Sequence, residues 1–173
     1  MIPSRNPPPP NAPLIDLIKS EAVFRKLPWE LVYAICQVES SLNPLATRYE
    51  PNFRWLVGNI DTMTPLERHG QMTSWGLMQV MGSVARELGF AGQFDDNCAL
   101  FLPSINLFYG CLHLRRFKAK YNEWPDVIAA YNAGSPRRVM GSVGAYVNQP
   151  YVDKVLAAWN NLEVAVPLKD TEI

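Results

Sequence analysis

The sequence predicts an all-α domain interrupted by one long irregular stretch. Apolar residues recur at helical spacing in segments that open on proline and often close on glycine, and the strict alternation of a half-buried strand is nearly absent. The 173 residues suit one domain with a tail, and 48% hydrophobic against 18% charged residues supply a core rather than a disordered chain.

Residues 1–13, MIPSRNPPPPNAP, hold six of the 15 prolines and read as a flexible polyproline II tail, leaving 14–173 as the folded domain. Behind Pro13, the stripe Leu14, Leu17, Ile18 and Phe24 predicts a first helix to about Lys26. Pro28 suits a helix N1 position, where its missing N–H costs nothing, and the stripe Leu31, Ile35, Val38 and Leu42 carries a second helix to about Ser41. Residues 43–75 are punctuated by Pro44, Pro51, Gly58, Pro65 and Gly70, so a long loop or small hairpin is expected there. A short helix runs from Val80 or Met81 to Leu88, with Gly89 just past its end. Pro103 opens the longest helix, to about Lys120, and Pro125–Ala133 is a brief one stopped by Gly134. Val152, Val155, Leu156 and Trp159 mark a sixth, for which Asn148 is a candidate cap. No internal repeat is visible.

Sixteen basic residues balance sixteen acidic ones, so the broad positive field that nucleic-acid binders and anionic-membrane binders use is missing. No stretch approaches the roughly 20 apolar residues of a membrane span, and no apolar signal segment is seen. Cys36, Cys98 and Cys111 have no CxxC pairing or companion histidines, so they read as buried hydrophobes in a reducing compartment. His69 and His113 build no metal site, and His113, beside Arg115 and Arg116, is expected on a solvated face. A triad of His69, Ser74 and Asp61 lacks any nucleophile-elbow pattern.

Glu39 stands out among the carboxylates. It lies three residues after Cys36, four after Ile35 and seven after Val32, so it shares a helix face with apolar residues, and it sits in the last turn. Partial burial and the negative end of the helix dipole both raise a carboxyl pKa, as a general acid requires. The same spacing equally admits a solvated glutamate at a frayed helix end.

Four motifs then follow in order: Val38-Glu39-Ser40-Ser41 with Asn43-Pro44, Ser74-Trp75-Gly76-Leu77-Met78-Gln79-Val80, Ala130-Tyr131-Asn132-Ala133-Gly134, and Tyr151-Val152 with Lys154-Val155. Ile105-Asn106 and Gly110 lie between the second and third. In this order they resemble the soluble lytic transglycosylase catalytic domain, a relative of goose-type lysozyme, from about Leu14 to Trp159. The resemblance implies a lysozyme-like helical fold acting on peptidoglycan glycan strands as a monomer, with no metal or cofactor. It implies that Glu39 is the sole catalytic acid and base and that the Tyr131 hydroxyl points towards it. It also implies that Gly76, Leu77, Met78 and Gln79 line the saccharide cleft, that Asn132 and Tyr151 face substrate, and that Ser74 contacts the sugar near the scissile bond.

The gap between Glu39 and Gly76 is longer than in compact members of that family, which leaves Glu50 and Asp61 as candidate second carboxylates. Glu50 also suits an ion pair with Arg48 or Arg54, and Asp61 a turn. Phe53 and Trp55 in this insertion suit either sugar stacking or pinning the loop to the core. The expected reaction cleaves the β-1,4 bond after N-acetylmuramic acid to leave a 1,6-anhydro end. The alternatives are a goose-type muramidase using Glu50 or Asp61, and a non-catalytic wall-binding or virion component. The Pro-rich tail without signal or wall-binding repeat resembles bacteriophage or mobile-element wall-degrading enzymes more than exported ones.

Overall fold

Burying one apolar stripe per helix requires the helices to pack on one another, and that packing organises the chain. A computed structural model describes residues 13–141 and 144–165; the predicted tail lies outside the described residues apart from Pro13. The helices are α1 (Leu14–Phe24), α2 (Trp29–Ser40), α3 (Pro65–Gln71), α4 (Gly82–Glu87), α5 (Pro103–Lys118), α6 (Trp124–Ala133) and α7 (Gln149–Ala165). A 3₁₀ turn at Ala99–Phe101 precedes α5. The mostly helical fold agrees with the expected lysozyme-like class.

Helix α2 is central. Its buried face, Leu31, Val32, Ala34, Ile35 and Cys36, meets α1 on one side and α7 on the other. It ends without glycine: Ser41 and Leu42 both adopt left-handed backbone at φ 54° and 63°, and their N–H groups donate to Gln37 O and Cys36 O. Pro28 stands one position earlier than expected, at the N-cap.

The 43–75 stretch is more ordered than its turn residues suggest. Strand β1 (Thr47–Tyr49), β2 (Thr73–Trp75) and β3 (Val80–Met81) form an antiparallel sheet in the order β1-β2-β3, with Thr47 opposite Trp75 and Ser74 opposite Met81. Helix α3 interrupts it, a seventh helix where six were expected. Thr64 caps it, its Oγ1 accepting from Glu67 N at 3.2 Å, and Pro65 takes N1. The string Thr64-Pro65-Leu66-Glu67 is itself a helix-start signal, masked by the prolines and glycines around it.

The β2–β3 turn is driven into the core. Leu77 and Met78 are fully buried, as is Asn106 from α5. Asn106 Nδ2 donates to Trp75 O at 2.7 Å and Leu100 O at 3.0 Å, and its Oδ1 accepts from Met78 N at 2.8 Å. One side chain thereby satisfies three buried backbone groups. Close approach makes two glycines necessary: a Cβ at Gly76, whose φ is +69°, would lie 2.4 Å from Asn106 Nδ2, and one at Gly110 would lie 2.3 Å from Met78 Sδ. The three cysteines are buried, as the sequence suggests.

Replacing Asn106 by alanine orphans all three backbone groups. The expected loss is about 3–6 kcal/mol, summing roughly 1–2 for each unsatisfied group, read as a lowered urea midpoint without a change in slope. A midpoint within the error of wild type would show that the turn does not depend on this amide.

Candidate active site

The end of α2, the sheet and the C-terminal halves of α5 and α6 enclose a cleft of about 760 Å³. Three carboxylates line it: Glu39, Glu50 and Glu87. They differ in their partners. Glu50 Oε1 is 2.5 Å from Arg48 Nε, and Glu87 Oε2 is 3.0 Å from Arg116 Nη1. Glu39 Oε1 instead accepts a 2.7 Å hydrogen bond from the Tyr151 hydroxyl of α7. Asp61 is exposed and does not line the cleft; its N–H donates to Asn59 Oδ1 in a turn.

Burial pushes the Glu39 pKa above the ordinary carboxylate value, while the Tyr151 hydrogen bond and the positive charge of Arg48 bring it partway back. The Tyr151 and Tyr131 hydroxyls are driven well above the normal tyrosine value, first by burial and then by the Glu39 charge, so both remain protonated donors. The acid is therefore held in a site that favours its neutral form, facing an open cleft.

Tyr131 lines the cleft with Glu39 and feels its charge, but does not hydrogen-bond to it. Its hydroxyl donates to Met78 O at 2.7 Å, because the turn presents that carbonyl to the base of the cleft. Tyr151, expected only to face substrate, supplies the donor to Glu39, and it does not itself line the cleft. The Gly76–Gln79 segment also divides. Gln79 lines the cleft, whereas Gly76, Leu77 and Met78 are buried behind it, because the apolar side chains of the turn belong to the core. The backbone of that segment remains tied to the site: the Ser40 hydroxyl, next to Glu39, donates to Leu77 O at 2.8 Å. Gln79, itself left-handed at φ 46°, donates through Nε2 to Ala46 O and Gly76 O.

Ser74 lines the cleft with its hydroxyl 3.1 Å from Met81 Sδ, and Asn132 lines it while accepting from Asn148 Nδ2 at 2.9 Å. Asn148 immediately precedes α7 but does not cap it by the expected route: its Nδ2 donates to Ala129 O and Asn132, and its buried Oδ1 has no partner. His113 is not on a solvated face. It lines the cleft with its ring 5.4 Å from that of Tyr131 and 4.7 Å from that of Phe117. Burial, with Arg116 and Lys120 adding to it, lowers its pKa to about 4, so it is neutral at ordinary pH. Its spacing from Gly110 and Phe117 places it on their face of α5, a signal outweighed by the two arginines that follow it. His69 stacks on Tyr49 at 4.5 Å. Among the described residues, no group of three or more His, Cys, Asp or Glu side chains is placed to hold a metal ion.

The raised Glu39 pKa has a consequence for stability. A carboxyl group whose pKa is higher folded than unfolded contributes stability below its unfolded value, and that contribution is lost as pH rises through its folded value. Glu39→Gln removes this liability, and the glutamine Oε1 can still accept from Tyr151. The variant is expected to be more stable than wild type at pH 7, with the difference shrinking as pH falls towards about 4.3, the ordinary glutamate value. Thermal melts of both proteins between pH 4 and 8 check it; a constant difference would mean that Glu39 is not strained by its surroundings.

No curated protein and no solved structure matches the chain. No helix among the described residues is long and apolar enough to cross a membrane. The family described as the Transglycosylase SLT domain matches residues 16–161, a span that holds the residues lining the cleft together with α2 and the part of α7 that bring Glu39 and Tyr151 into contact. The chain therefore belongs to the transglycosylase SLT domain family, whose activity is lytic transglycosylation of peptidoglycan.

Proposed function

We propose that this protein cleaves the β-1,4 bond between N-acetylmuramic acid and N-acetylglucosamine and leaves a 1,6-anhydromuramyl end, with Glu39 as both acid and base. The observation that carries the reading is the unequal pairing of the cleft carboxylates. Glu50 and Glu87 are each bound to an arginine, and Glu39 alone is held by a phenol in surroundings that favour its protonated form.

Protonated Glu39 donates to the glycosidic oxygen as the bond to the anomeric carbon breaks. The carbonyl oxygen of the muramyl 2-acetamido group attacks that carbon and forms an oxazolinium ring, so the substrate supplies the nucleophile that a second carboxylate provides in two-carboxylate glycosidases. Glu39, now ionised and steadied by the Tyr151 hydroxyl, takes the proton from the muramyl C6 hydroxyl. That oxygen closes on the anomeric carbon and opens the oxazolinium ring. No water is consumed, and the internal hydroxyl has the effective-molarity advantage of an attached nucleophile. Tyr131 acts at one remove, fixing the turn whose other carbonyl, Leu77 O, holds Ser40 beside Glu39.

The muramidase alternative keeps one specific support: Glu50 lines the same cleft as Glu39. The Glu50 carboxylate is already engaged by Arg48 through Oε1, so a water would have to share Glu50 with that guanidinium.

Glu39→Gln is expected to abolish release of soluble fragments from purified sacculi while the protein stays folded. Glu50→Gln is expected to retain most of the activity, with a stability change of roughly 0–1 kcal/mol. The wild-type products, weighed by mass spectrometry, should be lighter by one water than the hydrolytic fragments. Hydrated reducing ends together with an inactive, folded Glu50→Gln protein would replace the transglycosylase with a muramidase.

A further inference from the structure

The insertion after α2 carries an aromatic pair that the proposed chemistry leaves unused. Trp55 lines the cleft yet is 74% exposed, so it does not pin the loop to the core. Phe53, also lining the cleft, meets it edge to face with ring centroids 5.5 Å apart, which orients the indole from one side.

The arm that bears the pair is held at both ends. At its start, Glu50 N donates to Met72 O at 2.8 Å, and Phe53 N donates back to Glu50 O. At its end, Val57 N donates to Gln71 Oε1 at 2.7 Å, while Gln71 Nε2 donates to Val57 O at 2.8 Å. Gln71 is fully buried. Its Nε2 also donates to Glu67 Oε1 at 2.9 Å, and the Glu67 carboxylate is gripped by Arg86 through two 2.7 Å contacts. A buried amide locked into a charged pair thus fixes the backbone two residues beyond Trp55. A large apolar ring presented to water on a fixed arm has already met the ordering cost that a mobile loop would incur on binding.

We infer that Trp55, braced by Phe53 on this clamped arm, forms a stacking subsite for a pyranose ring of the N-acetylated glycan strand. The face of such a ring is a set of C–H groups and its rim is polar, so an indole face takes the former while the neighbouring Arg48–Glu50 pair offers polar atoms to the latter. The inference rests on the saccharide-cleaving reading of the same cleft.

The test uses the Glu39→Gln protein, titrated with chitohexaose. Trp55 is the one tryptophan of five in the exposed class; Trp75 is buried, and Trp29, Trp124 and Trp159 are partly buried. Saccharide should therefore shift the emission to shorter wavelength and protect it from iodide quenching. Both signals should vanish when Trp55→Phe is added, and Trp55→Ala should weaken binding roughly three- to ten-fold, the range expected for one stacking contact. Equal affinity with and without the indole, or no binding by the Glu39→Gln protein, overturns the subsite. Release of anhydro-ended fragments from sacculi by wild type, measured in parallel, decides separately whether the reading of the reaction survives.

Discussion

The buried turn from Trp75 to Gln79 is the constraint on which the rest depends. Its peptide groups point into the core, where each needs a partner, and those partners come from widely separated parts of the chain. Asn106 takes Trp75 O and Met78 N, Ser40 takes Leu77 O, Tyr131 takes Met78 O, and Gly76 N donates to Ala46 O at 2.8 Å. Helices α2, α5 and α6 are thereby referenced to one loop. A backbone carbonyl buried without a donor costs about 1–3 kcal/mol, so several such bonds define a position as well as a stability. The acid of the cleft inherits its place from this arrangement, because Ser40 adjoins it.

Much of this was legible in the sequence. The spacing of Glu39 from Val32, Ile35 and Cys36 gave its helix face, and the half-buried carboxyl group follows from that periodicity. The helices opened by Pro65 and Pro103 show both sides of the same rule: the long apolar stripe of α5 is plain, whereas α3 spans only seven residues and lacks room for a repeating stripe. Hydrogen-bond partners were less accessible. Tyr131 was expected to point at the carboxylate and Tyr151 to face substrate, yet it is Tyr151 that donates to Glu39 while Tyr131 donates to Met78 O, and no local pattern encodes which phenol takes which acceptor. The burial of Leu77 and Met78 is the opposite case, for their apolar character already favoured the core over a polar cleft.

The cleft combines two kinds of wall. On the α5–α6 side, neutral His113 packs edge-on against Phe117 and tilted against Tyr131, so its own charge is constant across neutral pH. On the insertion side, Arg48 and Glu50 cancel one another beside exposed aromatic rings. A partly apolar groove in which Glu50 and Glu87 are each paired with an arginine, and Glu39 is the carboxyl group held without one, suits a polysaccharide backbone.

The Glu39–Tyr151 hydrogen bond joins residues 112 positions apart, and helix α7 must dock against α2 to make it. During synthesis, α2 emerges first, and the phenol that steadies its carboxylate follows only after almost all the described chain has been made. A ribosome-bound intermediate therefore holds the acid without its partner. Emergence and docking of α7 are what assemble the pair.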